Sequence, residues 1–188
     1  MTGVRNDVLY TLNVTTGVAT RVGSATQFGV SEAFPIGLAS NGSALYMVGR
    51  DTDALHTVNT TTGAATQVGS ATAFGISLVN PSGIAFHNGV LYMVSVEPGH
   101  LYSVNTTTGV ATRIGSEPDF RVGSEGLTSH NGTLYMTGQT GNGIYTLNTS
   151  TGAATQVARL PITPEGIESF GGNLYLATPT DLRIVTIH

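Results

Sequence analysis

Four near-identical segments punctuate the chain: LYTLNVTTGVATRVGS from Leu9, LHTVNTTTGAATQVGS from Leu55, LYSVNTTTGVATRIGS from Leu101 and IYTLNTSTGAATQVAR from Ile144. The anchors lie 46, 46 and 43 residues apart, and a fifth, weaker copy, IVTIH, starts 40 residues later at Ile184. Units of this length cannot bury a hydrophobic face alone, so neighbours must stack; units made only of strand signals stack as propeller blades. The repeats therefore predict an all-β fold, a β-propeller of about four blades. Each blade is a four-stranded antiparallel sheet with a repeat of 40–46 residues, within a single domain over 1–188.

Each blade reads as strands A to D. Strand A begins at a fixed glycine: Gly37-Leu38-Ala39-Ser40, Gly83-Ile84-Ala85-Phe86, Gly126-Leu127-Thr128-Ser129 and Gly166-Ile167-Glu168-Ser169. Small residues suit the innermost strand, where backbones crowd the axis. Asn41-Gly42, Asn88-Gly89, Asn131-Gly132 and Gly171-Gly172 mark the A–B turns, with residues that tolerate positive φ. Strand B is an unbroken apolar run around Tyr46, Tyr92, Tyr135 and Tyr175, as expected when both faces are covered. Strand C is the LYTLN element, and a turn ending at Gly17, Gly63, Gly109 or Gly152 leads to strand D. The alternation in D puts Arg21, Gln67, Arg113 and Gln156 on a half-solvated outer edge.

Anchor spacings within a blade are constant, and only the D-to-A connection varies. It spans 14 residues from Gly23 to Gly37, 14 from Gly69 to Gly83, 11 from Gly115 to Gly126, and 8 from Ala158 to Gly166. Varied D–A and B–C loops on a constant frame share one face around the channel, the usual arrangement of a recognition surface. The repeated LY-x-[LV]-N-x-x-[ST]-G-x-A-T-x-[VI] unit resembles the β-propeller repeat superfamily of the YVTN and NHL type. That resemblance spans nearly the whole chain and implies a fold; such propellers include binding platforms, lectins and a few enzymes, so it implies no one activity.

Composition narrows the function classes. Charged residues make up 10% of the chain, all seven basic residues are Arg, and net charge is −4. Phosphate neutralisation needs clustered cations, so nucleic acid is not the expected partner. There is no cysteine for a disulfide or thiolate site and no lysine for a Schiff base. No apolar run reaches the ~18 residues of a membrane span, and the N-terminus does not read as a signal peptide. Met1 does match Met47, Met93 and Met136, each eight residues before an anchor. The expectation is a mature or trimmed segment of a longer precursor, secreted or displayed on a cell surface.

Candidate site residues fall in two groups. On the loop face, Phe28, Phe34, Phe74 and Phe120 form either an aromatic array for sugars or protein, or plugs between blades. Arg50, Asp51, Asp53, Glu97 and His100 are polar B–C loop candidates for ligand binding. At the channel mouth, Ser82, Glu125 and Glu165 occupy the position before the strand A glycine, with Ile36 the fourth member. Two carboxylates and a hydroxyl there can hold a divalent cation or a ligand's hydroxyls, against plain solvation; no other cofactor is expected. Glycosylation sequons begin at Asn13, Asn41, Asn59, Asn105, Asn131 and Asn148, all at turns that Asn favours for conformational reasons. His87 and His130 share one repeat position, which points to structure, and no nucleophile or phosphate-loop motif occurs.

The strand count leaves one C strand over. The terminal A and B strands can pair with the N-terminal C and D strands, or the last C strand can displace the first, within one chain or between chains. Three expectations follow: a non-catalytic extracellular or cell-surface module binding protein or glycan; a protein that oligomerises or polymerises head-to-tail by strand complementation; and, third, an enzyme using channel-mouth carboxylates.

Overall fold

The computed structural model describes residues 8–13, 15–24, 28, 35–49, 53–70, 73–76, 80–97, 99–116, 120, 123–178 and 182–185, with backbone alone at 35, 73, 124–125 and 182–185. The fold is an all-β propeller type of successive antiparallel blades. A hairpin, β1 (Tyr10–Leu12) and β2 (Ala19–Arg21), comes first. Three four-stranded blades follow. They are blade I, β3 (Pro35–Ser40), β4 (Leu45–Gly49), β5 (Ala54–Val58) and β6 (Ala65–Gln67); blade II, β7 (Pro81–His87), β8 (Val90–Ser95), β9 (Leu101–Val104) and β10 (Ala111–Arg113); and blade III, β11 (Ser124–His130), β12 (Thr133–Gly138), β13 (Gly143–Leu147) and β14 (Ala154–Arg159). A three-stranded sheet, β15 (Gly166–Phe170), β16 (Asn173–Ala177) and β17 (Leu182–Val185), ends the series.

The first strands of the blades, β3, β7, β11 and β15, lie side by side in chain order along the axis. Their glycines make this possible: a Cβ on Gly83 would lie 2.9 Å from the Leu127 nitrogen, and one on Gly126 would lie 2.7 Å from the Ile167 nitrogen. Real side chains do not tolerate such an approach, so each glycine is required by the backbone of the next blade.

The core lies between blades rather than within them. Strand B alternates, so Tyr46 and Val48 pack forward against Ile84, Leu91 and Met93 of blade II, while Met47 packs back against Phe28. One blade later, Tyr92 and Val94 pack forward against Leu127, Leu134 and Met136. Met47, Val48, Met93, Val94 and Met136 are all fully buried. The unbroken apolar run of strand B thus serves two interfaces, one per face.

The C–D turn accounts for its repeated sequence. Asn59 Oδ1 accepts hydrogen bonds from the Thr61 and Thr62 amides at 2.9 Å each, and Gly63, at φ 73°, donates its N–H to the Asn59 carbonyl at 2.8 Å. The same bonds recur at Asn13, Asn105 and Asn148. On the outer rim, a side chain at Gly23, Gly69 or Gly115 would overlap the carbonyl of Thr62, Thr108 or Thr151 in the next blade's C–D turn. Ala158 stands at this position in blade III, and the last sheet has no C–D turn among the described residues.

Two details differ from the sequence expectation. The first A–B turn is a four-residue loop, because Ser40 pairs with Leu45, whereas His87 pairs with Val90 and His130 with Thr133 across two-residue turns. The last strand is also out of repeat register. Blades I to III pair Val48 with Leu55, Val94 with Leu101 and Thr137 with Ile144, whereas Ala177 pairs with Leu182 rather than Ile184. Because strand faces repeat every two residues, a slip of two preserves the face and is not penalised by side-chain alternation. In the pairing, Leu182 thus stands where the repeat spacing puts Ile184.

Candidate functional site

Two regions present polar groups on this frame. The first is an axial groove of about 380 Å³ bordered by all four inner strands. Its polar lining comes from Ser40, Thr128, Ser129 and Glu168, and its apolar floor includes Ile84 and Phe86. Glu168 was not among the sequence candidates. Its signal was available: it stands where Ala39, Ala85 and Thr128 stand in the other blades, the one charged residue at that repeat position. Glu168 stays open to solvent on one side, and partial loss of water in the groove raises its carboxyl from its ordinary value, against the lowering effect of the Ser169 amide.

The channel-mouth positions are rearranged by a feature the repeats do not announce. The strand A register shifts between Pro35 and Gly37, Pro81 and Gly83, and Ser124 and Leu127, so Ile36, Ser82 and Glu125 sit at β-bulges. Ser82 is only 4% exposed, and its hydroxyl donates to the Val94 carbonyl at 3.4 Å. It is not a solvent-facing mouth group, which corrects that assignment. Glu165 is exposed, and its amide is tied to the Ala177 carbonyl at 2.9 Å. The Glu125 side chain lies outside the described atoms. Among the described residues, no three His, Asp or Glu side chains converge as a metal site would require.

The second region is the D–A and B–C loop face. Phe28 and Phe74 have φ of 52° and 53° and are 3% and 0% exposed, each sealed between neighbouring blades. They cannot stack on a sugar; for these two the plug geometry replaces the aromatic array. Phe120 is half-buried against the core between blades II and III. The anchoring is repeated in the backbone: Phe74 donates its N–H to the Asp53 carbonyl at 2.9 Å, Phe120 to Gly99 at 2.7 Å and Leu160 to Asn142 at 2.6 Å. Leu160 is thus the blade III counterpart of the phenylalanines, hidden from sequence alignment by the shortened loop.

Among the polar loop candidates, Asp53 is half-buried in a left-handed conformation at φ 41°, and Glu97 is exposed. His100 is 8% exposed, with its ring 6.3 Å from that of Tyr102. Phe34, Arg50 and Asp51 lie outside the described residues. All six sequon asparagines are exposed. The oxygens of Asn13, Asn41, Asn59, Asn105 and Asn148 cap turns, and the Asn131 amide nitrogen lies 3.0 Å from His130 Nε2.

One arrangement superficially resembles a nucleophile and its base. His87 Nδ1 lies 2.8 Å from Ser129 Oγ, and Asn88 Nδ2 lies 3.1 Å from His87 Nε2; His130, Ser169 and Asn131 repeat the pattern. Both ring nitrogens of each histidine are thus held, Nδ1 by a serine of the next blade and Nε2 by the neighbouring asparagine. The trio is a bridge between blades.

The repeat family described as "Repeat of unknown function (DUF6923)" matches residues 2–162. No curated protein matches the chain in sequence. In three dimensions it is similar to virginiamycin B lyase from Staphylococcus aureus, at 15% identity and a TM-score of 0.59 over 92% of this chain and 60% of the lyase. It is similar to a Bacteroides thetaiotaomicron protein of unknown function, at 18% identity and 0.63 over 87% of this chain and 49% of that one. It is also similar to the computationally designed Ika4 protein, at 9% identity and 0.55 over 85% and 94%. The chain spans about three-fifths of the lyase's length, and at these identities the likeness is one of fold.

Proposed function

From the premise that this chain belongs to the DUF6923 repeat family, we propose that it is a non-catalytic binding module that recognises protein or glycan through its D–A and B–C loop face. The observation that carries this reading is the constancy of the frame against the variation of one connection. The spacings between strand anchors within a blade repeat, while the D-to-A anchor spacings are 14, 14, 11 and 8 residues, and the later three connections are pinned to a B–C loop at Asp53, Gly99 and Asn142. Pinned bases with unequal loops hold different side chains at defined places on one face. Separately, the hydroxyls and the Glu168 carboxyl of the axial groove suit a polar, hydrogen-bonding ligand.

The test is a glycan array and a protein-partner screen with the intact chain, repeated after residues 50–52 and 117–119 are replaced by glycine and serine and after Glu97→Ala. Retention of the fold with loss of a specific hit supports the reading. A hit unchanged by all loop replacements, or no hit in either screen, overturns it.

A further inference from the structure

Six exposed asparagines open the pattern Asn-x-Ser/Thr, and all stand at A–B or C–D turns, on the face opposite the D–A and B–C loops. Turns rich in Asn and Thr produce that pattern by composition, so the sequence alone decides nothing. Hydrogen bonds separate the six into two kinds. At Asn13, Asn41, Asn59, Asn105 and Asn148 the side-chain Oδ1 accepts the N–H of the residue two positions on, at 2.8–3.0 Å. That residue, Thr15, Ser43, Thr61, Thr107 or Ser150, is the hydroxyl member of the pattern and is exposed in all five. With Oδ1 turned to the backbone, Nδ2 makes no hydrogen bond among the described residues.

Asn131 is built differently. It sits at φ 46° in the two-residue turn between His130 and Thr133, and its Nδ2 lies 3.0 Å from His130 Nε2. Its hydroxyl partner Thr133 is half-buried as the first residue of β12. The amide is thus engaged and the hydroxyl residue partly covered. Asn41 shows that the following glycine is not the cause: it too precedes one, yet in its longer loop the amide oxygen bonds to Ser43 and Ala44 and the nitrogen stays open.

We propose that Asn13, Asn41, Asn59, Asn105 and Asn148 are acceptor sites for N-linked oligosaccharide and that Asn131 is not. The donor is an oligosaccharide carried on a lipid pyrophosphate. Nδ2 bonds to the anomeric carbon of the reducing-end sugar, the bond from that carbon to the lipid pyrophosphate breaks, and Nδ2 gives up one proton; nothing is oxidised or reduced. The C–D turns are closed locally, as where Asn59 donates its N–H to the Ala64 carbonyl, so they present the same amide before and after the blades assemble. The face suits a sugar coat. Residues 13–18, 41–44, 59–64, 105–110 and 148–153 include no charged side chain, and Val18 and Val110 are 58% and 40% exposed five residues after Asn13 and Asn105. Glycans there hydrate a surface that charge does not, and they leave the loop face open.

The test passes the intact chain through the secretory pathway of a eukaryotic cell behind a cleavable signal, with secreted and retained fractions pooled. An amidase that removes N-linked sugars in heavy-oxygen water converts each occupied asparagine to a mass-labelled aspartate, and peptide mass spectrometry then gives the occupancy site by site. Asn131 should be occupied about tenfold less than the mean of the other five, the ratio expected where one hydrogen bond must first be broken. Asn41 against Asn131 compares two Asn-Gly sites and so isolates the geometry. A ratio above about threefold, for the mean and for that pair, supports the inference. A smaller ratio in either comparison, or six unmodified asparagines, overturns it and leaves the loop-face reading untouched.

Discussion

His87 Nδ1 and Ser129 Oγ lie 2.8 Å apart across the boundary between blades II and III, and His130 and Ser169 repeat the contact at 2.8 Å across the next. His87 is 6% exposed, so the bond is made with little competition from water. Ser129→Ala leaves a buried ring nitrogen without its hydrogen-bond partner and should cost about 1–3 kcal/mol. Urea unfolding of His87→Ala, Ser129→Ala and the double variant checks this, with a coupling of about 0.5–1.5 kcal/mol expected from the cycle.

Glycine at the outer rim should be far less replaceable than glycine at an exposed turn. Gly115 has φ 67° and faces the Thr151 carbonyl, so Gly115→Ala meets both a left-handed backbone and an overlap, and should cost about 3 kcal/mol or more. Gly42, at φ 87° with nothing within 4 Å, should lose only about 1–2 kcal/mol on the same change. Paired thermal melts distinguish them.

Phe74 is a stability residue at the base of a variable loop. Fully buried between blades I and II, it should cost about 3–5 kcal/mol when cut to alanine. Phe170→Ala, at 70% exposure, should stay within about 0.5 kcal/mol.

Acid should weaken the fold through His56, which replaces the strand C tyrosine and is 2% exposed. Burial holds its imidazole below the ordinary value, outweighing the raising effect of the Ala54 backbone carbonyl. The unfolded chain then binds the proton more readily, so this contribution is complete above about pH 6.5 and is lost as pH falls from there toward the folded value. His56→Tyr restores the repeat residue and should reduce the fall in urea midpoint between pH 7 and pH 5.

The repeat unit made the blades legible before any coordinates, because a 46-residue period with constant inner spacings leaves few alternatives. Glu168 was legible too, as the charged member of a small-residue position. The bulges at Ile36, Ser82 and Glu125 were not legible. Whether an extra residue is absorbed by a bulge or by a turn depends on how the paired strand approaches, and no residue type signals it. Leu160 was likewise hidden, since its equivalence to Phe74 and Phe120 lies in a hydrogen bond to a B–C carbonyl and not in side-chain identity.

Local patterning thus determined the strands, their turns and the stacking of units, because period-two alternation and turn chemistry act over a few residues. Tertiary structure decided what each unit meets. It made Phe28 and Phe74 plugs, turned a histidine and a serine 42 residues apart into a bridge, and set β17 two residues out of step. These outcomes depend on the distance and angle between blades, and a repeat specifies its own sheet far more tightly than the place of its first and last neighbours.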